Sequence, residues 1–307
     1  MAFFDRFRVE LRKYADGVHD VGEPLAKVPP SLPPGLADFL RSWDGVRLFH
    51  DTIIILPLAE QELRDGVRVI GEWPDGTLEL ADDGRVRSRD DDGAVITVGA
   101  SLELYLTAMM AREGLLVDRE GEFKDVFDEE GIDERVRAKQ TAAALKVDPE
   151  AAAWHLESAE RAFGDGEDAA AEAALARAVA LDEGAGDAWA LLGALQRRAA
   201  RFDAAAASFA RAAATTPNGA ARAERAAEAA RAAVEGSHED VRAAQAVVAV
   251  AADAGVVARW LDEARELLAD GDSEGAFNRA SLAAAVDPAA SAELLKQTRV
   301  RSKLKTI

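Results

Sequence analysis

The chain contains no cysteine, which excludes disulfides, thiolate metal sites and thiol nucleophiles. Its four histidines, His19, His50, His155 and His238, are scattered and form no HxxxH or HxxE spacing, so no zinc site is expected. GxSxG, P-loop, GxGxxG, HExxH and kinase motifs are all missing, and a serine nucleophile would lack a well-placed histidine base. No run of about 18 apolar residues occurs, so no transmembrane helix is expected. Met1 to Lys13 carries Asp5, Arg6 and Arg8 where a secretory signal needs an apolar core. Positive charge is scarce, with 37 Lys plus Arg against 56 Asp plus Glu, a net of −19. Nucleic acid and anionic membranes, both polyanionic, would be repelled at long range. These absences predict a cytoplasmic, non-enzymatic protein with no cofactor and no metal. Its natural partner is another protein with a basic surface.

What is present divides the chain in two. A length of 307 residues accommodates about two domains. Residues 1–135 hold the strand signals, the turns and most of the aromatics, with 16 Lys plus Arg against 30 Asp plus Glu. The remainder is rich in Ala, Glu and Arg with helical periodicity, and its balance is 21 against 26. The expected organisation is an α+β domain over 1–135, a linker or connecting helix over 136–150, and an all-α repeat array over 151–307.

In the first part, Phe3, Phe4, Phe7, Leu11 and Tyr14 fall on one face of an opening helix, which predicts docking on its own domain. Pro29, Pro30, Pro33 and Pro34 mark a turn, and Leu36, Phe39, Leu40 and Trp43 make a short helix ended by Asp44-Gly45. Thr52 to Leu56 is β-branched and apolar, the mark of a strand buried on both faces. Leu58 to Leu63 reads as a short helix. Strands are expected at Val67–Gly71, Thr77–Leu80, Val86–Arg89 and Ala94–Val98, joined by Pro74-Asp75-Gly76, Asp82-Asp83-Gly84 and Asp90-Asp91-Asp92-Gly93. Glycine takes positive φ without steric cost, so these Asp-Gly turns predict tight hairpins in an antiparallel sheet. Ser101 then caps a helix bearing Leu102, Tyr105, Leu106 and Met109 on one face.

This order resembles the SUKH superfamily, the fold of the Smi and Knr cell-wall regulators and of many bacterial toxin immunity proteins. The residues that carry the resemblance are Leu32-Pro33, Leu36, Phe39, Leu40, Asp44-Gly45, Ile53 to Leu56, Leu58, Val69-Ile70-Gly71, Asp75-Gly76 and Ser101 to Leu106. It covers about residues 25–115 and implies a role in neutralising a toxin. The opening helix and the attached helical half depart from a minimal immunity protein.

The helical half repeats. Trp189, Leu192, Gly193, Ala205, Phe209, Ala212 and Pro217 are followed by Trp260, Ala264, Gly271, Ala276, Ala280, Ala283 and Pro288. Both sets place Trp, small residues and Pro alike in a unit of about 34 residues, the period of a tetratricopeptide helix pair. An earlier unit opens at Trp154, with Gly166, Ala171 and Ala178 at small positions and Leu175 at the large one. A degenerate pair spans Ala220 to Val234 and His238 to Ala254, and Ser291 to Lys305 continues as a capping helix. The small residues predict close helix approach, the prolines stop the second helices, and Trp154, Trp189 and Trp260 are expected in the packing rather than around a ligand.

Two acidic clusters invite chemistry. Asp118-x-Glu120-x-Glu122 with Glu129 matches the spacing of a calcium loop, but Phe123 stands where the sharp turn needs Gly. A surface hairpin is therefore expected there. Asp82-Asp83 and Asp90-Asp91-Asp92 each sit as a group just before a Gly, where Asp is a turn residue, and these five aspartates are the candidate contacts for a basic partner. The functional expectation is an immunity-type neutraliser of a basic toxin or effector. The alternatives are a scaffold or adaptor with a different partner for each half, and a hydrolase hidden among the acidic residues.

Overall fold

A computed structural model describes residues 4–73, 76–128, 131–217, 219–236 and 254–304. An antiparallel sheet of 8 strands lies in the N-terminal part and helices fill the C-terminal part. The chain folds as two compact units, Met1–Ala185 and Gly186–Ile307.

The first unit opens with helix α1 (Asp5–Leu11), whose Phe7 is fully buried together with the preceding Phe4. Both rings meet Trp43 edge-on, at 5.3 Å and 6.0 Å, and the Arg8 guanidinium covers the same indole at 5.1 Å. The expected docking of this helix on its own domain is what the structure has, with Phe3 outside the described residues. Helix α2 (Pro34–Leu40) buries Leu36, Phe39 and Leu40, and Gly45 beyond it takes φ +90°.

The strands are β1 (His19–Val21), β2 (Val46–Leu48), β3 (Ile53–Ile55), β4 (Glu62–Arg64), β5 (Val67–Trp73), β6 (Gly76–Leu80), β7 (Val86–Asp90) and β8 (Val95–Gly99). Their order across the sheet is β1-β2-β3-β5-β6-β7-β8, with β4 paired to β5 off this path. Strand β3 is buried along its whole length, as its β-branched run requires. The expected helix at Leu58 to Leu63 is corrected: only Leu58–Glu60 turns, as one 3-10 turn, and Glu62–Arg64 pairs with Val67–Val69. Pro74 and Asp75 lie outside the described residues.

Helix α3 (Leu102–Glu113) is capped by Ser101, whose side chain accepts from the Leu104 N–H. It packs on β8, on α1 and on α4 (Glu134–Val147), and α4 continues to α5 (Ala152–Gly164) and α6 (Asp168–Leu181). One core joins sheet and helices, running from Phe4 through Leu78 and Tyr105 to Ala144 and Trp154. The compositional divide near residue 135 is therefore not where the compact units part, which is between Ala185 and Gly186. The stretch 136–150, expected as a linker or connecting helix, lies mostly in α4 and buries Gln140, Thr141 and Ala144 within the first unit.

The junction is made at the open edge of the sheet. An edge strand carries backbone N–H groups that must find acceptors. Asp182, the residue that ends α6, accepts from Thr97 through both N–H and Oγ1 at 2.8 Å. Asp148, which ends α4 and is fully buried, accepts from Ala100 N–H at 2.8 Å. Arg85 adds a bond from Nη1 to the Leu181 carbonyl at 3.1 Å. Burial pushes the Asp148 carboxyl upward in pKa, and the N–H groups of Ala100 and Glu150 oppose that shift.

The second unit is helical. It contains α7 (Gly186–Arg198), α8 (Phe202–Thr215), α9 (Gly219–Gly236), α10 (Ala254–Ala269), α11 (Ser273–Val286) and α12 (Pro288–Leu304). His238 to Asp253 lies outside the described residues. Gly193 shows why a small residue stands there: a Cβ would come within 2.9 Å of the Phe209 ring. Ala205 and Ala276 are fully buried, as is Trp260, and Phe209 nearly so. Pro217 follows the end of α8 and Pro288 opens α12, so each follows the end of a helix. Gly166 and Gly271 are corrected: both take positive φ in turns, with no neighbour within 4 Å of a Cβ, so backbone conformation rather than close packing selects them. Arg279 holds three helices, reaching Glu224 at 2.6 Å and Glu263 at 3.0 Å.

Candidate protein-binding site

The aspartates expected to meet a partner stand on consecutive hairpins. In the β6–β7 turn, Gly84 takes φ +86° and its N–H reaches the Ala81 carbonyl at 2.9 Å. Asp83 accepts from the Arg85 N–H at 3.1 Å, and both Asp82 and Asp83 are exposed. In the β7–β8 turn, Asp90 is half-buried and accepts from the Ala94 N–H at 2.7 Å, while Asp91 and Asp92 are exposed. The turn chemistry follows from Asp accepting local backbone bonds and Gly taking positive φ.

The two groups do not form one patch. They lie at opposite ends of β7, separated by five residues of strand, or roughly 15 Å. The Asp82-Asp83 end borders a cavity. A pocket of about 300 Å³ opens between this turn and the beginnings of α2 and α3. Its walls are apolar, with Phe4, Leu36, Leu80 and Leu102, and its rim carries Asp82, Asp83 and Glu103. Glu103 in the first turn of α3 offsets the positive end of that helix, so the rim remains favourable to a cation. An apolar wall below carboxylates matches the aliphatic stem and charged head of a Lys or Arg side chain.

Charge is also buried where α3, α4 and α5 meet. Arg112 donates to Glu113 at 3.0 Å and to Glu157 at 2.5 Å, and its guanidinium lies 5.1 Å from the centre of the Trp154 ring. Thr141 Oγ1 donates to the second Glu157 oxygen at 3.0 Å. Burial raises the Glu113 pKa, which Arg112 partly opposes; burial alone would lower that of Arg112, but Glu157 and Glu113 raise it. The cluster ties three helices together, and no local spacing announces it because its members are up to 45 residues apart. The sheet-edge carboxylates Asp148 and Asp182 carry one sequence signal, a separation of 34 residues, the spacing of the helix pairs.

His19 is a further perturbed group. Its ring lies edge-on to Tyr14 at 5.0 Å and to Phe49 at 4.7 Å, and Nδ1 accepts from the Phe49 N–H at 3.3 Å. Burial, with His50 adding to it, lowers its pKa to about 4. The turn that holds it is strained, since Phe49, His50 and Asp51 all have φ between 50° and 70°.

Trp154 and Trp260 are buried in the cores of different units, and Trp189 is half-buried. The stretch from Asp118 is a hairpin: Asp118 N–H donates to the Glu122 carbonyl at 2.9 Å, and its carboxylate accepts from the N–H groups of Glu120 and Glu122. Glu129 lies outside the described residues. Among the described residues no three His, Asp or Glu side chains are grouped to hold a metal ion, and no helix is long and apolar enough to cross a membrane. What the fold and the pocket define is an α+β unit extended by helices, with an acid-rimmed cavity at one end of its sheet. No protein-family model matches the chain, and no curated protein matches it.

Proposed function

We propose that this is a non-catalytic protein-binding protein, an immunity-type neutraliser of a basic toxin or effector. In this reading the N-terminal part is a SUKH-like domain and the helices that follow are tetratricopeptide-like repeats. The observation that carries the proposal is where the charge resides. Met1–Ala185 holds 21 Lys plus Arg against 40 Asp plus Glu, a net of −19, whereas Gly186–Ile307 holds 16 against 16, a net of zero. A field of one sign speeds encounter with a basic partner and makes association salt-sensitive. The pocket beside Asp82 and Asp83 then takes one cationic side chain of that partner.

The test is co-expression with the product of the adjacent reading frame. Growth arrest by that product, relieved by the wild-type chain and not by Asp82→Lys/Asp83→Lys/Glu103→Lys, is the expected result. A harmless neighbour, or rescue that ignores the charge reversal, overturns the proposal.

A second reading, an adaptor, is favoured by one observation. The second unit has its own groove of about 520 Å³, lined by Phe202, Phe209, Arg197, Arg198 and Glu228. Its chemistry differs from that of the acid-rimmed pocket. An adaptor loses one partner when Phe202→Ala/Arg198→Ala is introduced and another when Asp82→Lys/Asp83→Lys is introduced. Loss of the same protein in both cases rejects the adaptor.

A further inference from the structure

Among the described residues, the only phenylalanines more than one-third exposed are Phe123 at 62% and Phe127 at 46%. Both lie in the connection between α3 and α4, and their rings meet edge-to-face at 5.6 Å and 81°. The backbone under them is built rather than loose. Val117 and Phe123 form an antiparallel bridge, the Lys124 N–H reaches the Leu116 carbonyl at 2.8 Å, and strands β9 (Phe127–Asp128) and β10 (Gly131–Ile132) pair beyond it. Leu116 and Val117 turn into the core, with Val126 and Ile132 packed against it, while the two phenylalanines stay outside. A single exposed apolar side chain needs no explanation. Two rings in contact, held out by a paired backbone, have the composition of an interface anchor.

The surroundings select the occupant. On the described part of this connection Glu120, Glu122, Asp125 and Glu134 are exposed and Asp118 and Asp133 half-buried, against Arg119 and Lys124 as cations. Acidic and neutral partners gain nothing from such a rim, and polyanions are repelled. A guanidinium stacks on an aromatic face and is weakly hydrated, whereas an ammonium is compact and strongly hydrated. The acidic rim attracts either cation, but the aromatic pair prefers arginine.

We propose that the Phe123–Phe127 hairpin docks an arginine-rich segment of a partner protein, its guanidinium groups stacked on the two rings and neutralised by the surrounding carboxylates. The inference rests on the protein-binding reading above and locates a contact outside the Asp82-Asp83 pocket.

The experiment titrates labelled nona-arginine and nona-lysine peptides against the full chain, followed by fluorescence anisotropy at low and at physiological ionic strength. Nona-arginine binds more tightly than nona-lysine, and Phe123→Ala/Phe127→Ala weakens it by about tenfold with no change in net charge. Phe123→Leu/Phe127→Leu stays weak because it restores bulk without a π face, and Phe123→Trp/Phe127→Trp restores binding. Because both rings are exposed, thermal melting of each variant is expected to match the wild type. Equal binding by wild type and the alanine variant overturns the inference, as does equal affinity for the two peptides. If Asp82→Lys/Asp83→Lys weakens binding while the alanine variant does not, the hairpin is rejected and the acidic-pocket reading stands. Failure of the wild-type chain to bind either peptide overturns the inference and removes the support that peptide binding would lend to a basic partner.

Discussion

The two units solve the same packing problem with different materials. Met1–Ala185 packs Phe4, Phe7, Phe39, Tyr105 and Trp154 against isoleucines and leucines of the sheet, so bulk fills its interior. The core of the second unit is largely alanine, with Trp260 the largest ring among Ala223, Ala227, Ala264, Ala276, Ala280 and Ala283. Small residues bring helix backbones close, and closeness replaces bulk as the source of contact. The units differ as much in charge, one carrying the whole net of −19 and the other none. A bulky, hydrogen-bonded unit can hold a fixed acidic surface, while an alanine-rich helical array offers grooves between helices.

The sharpest way to break this comparison is at the repeated tryptophan. Trp154 is 2% exposed in the core that joins sheet and helices, so Trp154→Ala is expected to cost about 3–5 kcal/mol in urea unfolding. Trp189, in the same repeat position but half-buried, is expected to cost clearly less; equal losses would mean that position rather than burial governs. Next comes the sheet edge. Asp182→Ala strips the acceptor from two groups of Thr97, itself 1% exposed, and is expected to cost about 2–3 kcal/mol. An unchanged melting temperature would remove the edge from the account of the first unit.

Acid titration tests the first unit again. The folded pKa of His19 is lowered from 6.5 to about 4, so the unfolded chain binds a proton that the folded one refuses. This contribution is fully present above pH 6.5 and is lost as pH falls toward about 4. Allowing for partial exposure, the loss is roughly 1–3 kcal/mol, and His19→Asn flattens that part of the profile. A wild-type profile indistinguishable from that of the variant would refute the assignment. The smallest effect is expected in the second unit, where Gly193→Ala gains helix propensity but drives a Cβ to 2.9 Å from the Phe209 ring. A net loss of about 1 kcal/mol is expected by thermal melting, and a gain would show that the helices are not in close contact there.

Much of the fold was legible because its causes are local. The turns at Asp82-Asp83-Gly84 and Asp90 to Gly93 follow from side-chain acceptors and positive φ within four residues. Helices α7, α8, α10 and α11 follow from periodic small and large residues. The stretch after Leu58 carries no local strand signal, because strand β4 exists only through pairing with β5. Gly166 and Gly271 differ from Gly193 only in the structure, because a glycine selected for conformation and one selected for closeness look alike in sequence. The five aspartates looked like one patch because they fall within eleven consecutive residues, yet a strand carries its two ends apart.

The sequence by itself determined the absence of thiol chemistry, the excess of acid, the antiparallel hairpins and the 34-residue rhythm of the helices, all set by composition or by spacings shorter than one structural unit. Only the tertiary structure decided that α4 to α6 belong to the same unit as the sheet, that Asp148 and Asp182 close its edge, that Asp82 and Asp83 border a pocket, and that Phe123 and Phe127 stand together in water. The physical reason is that burial, acceptor partnership and shared cavities depend on distances between residues far apart in the chain, and no local pattern specifies those distances.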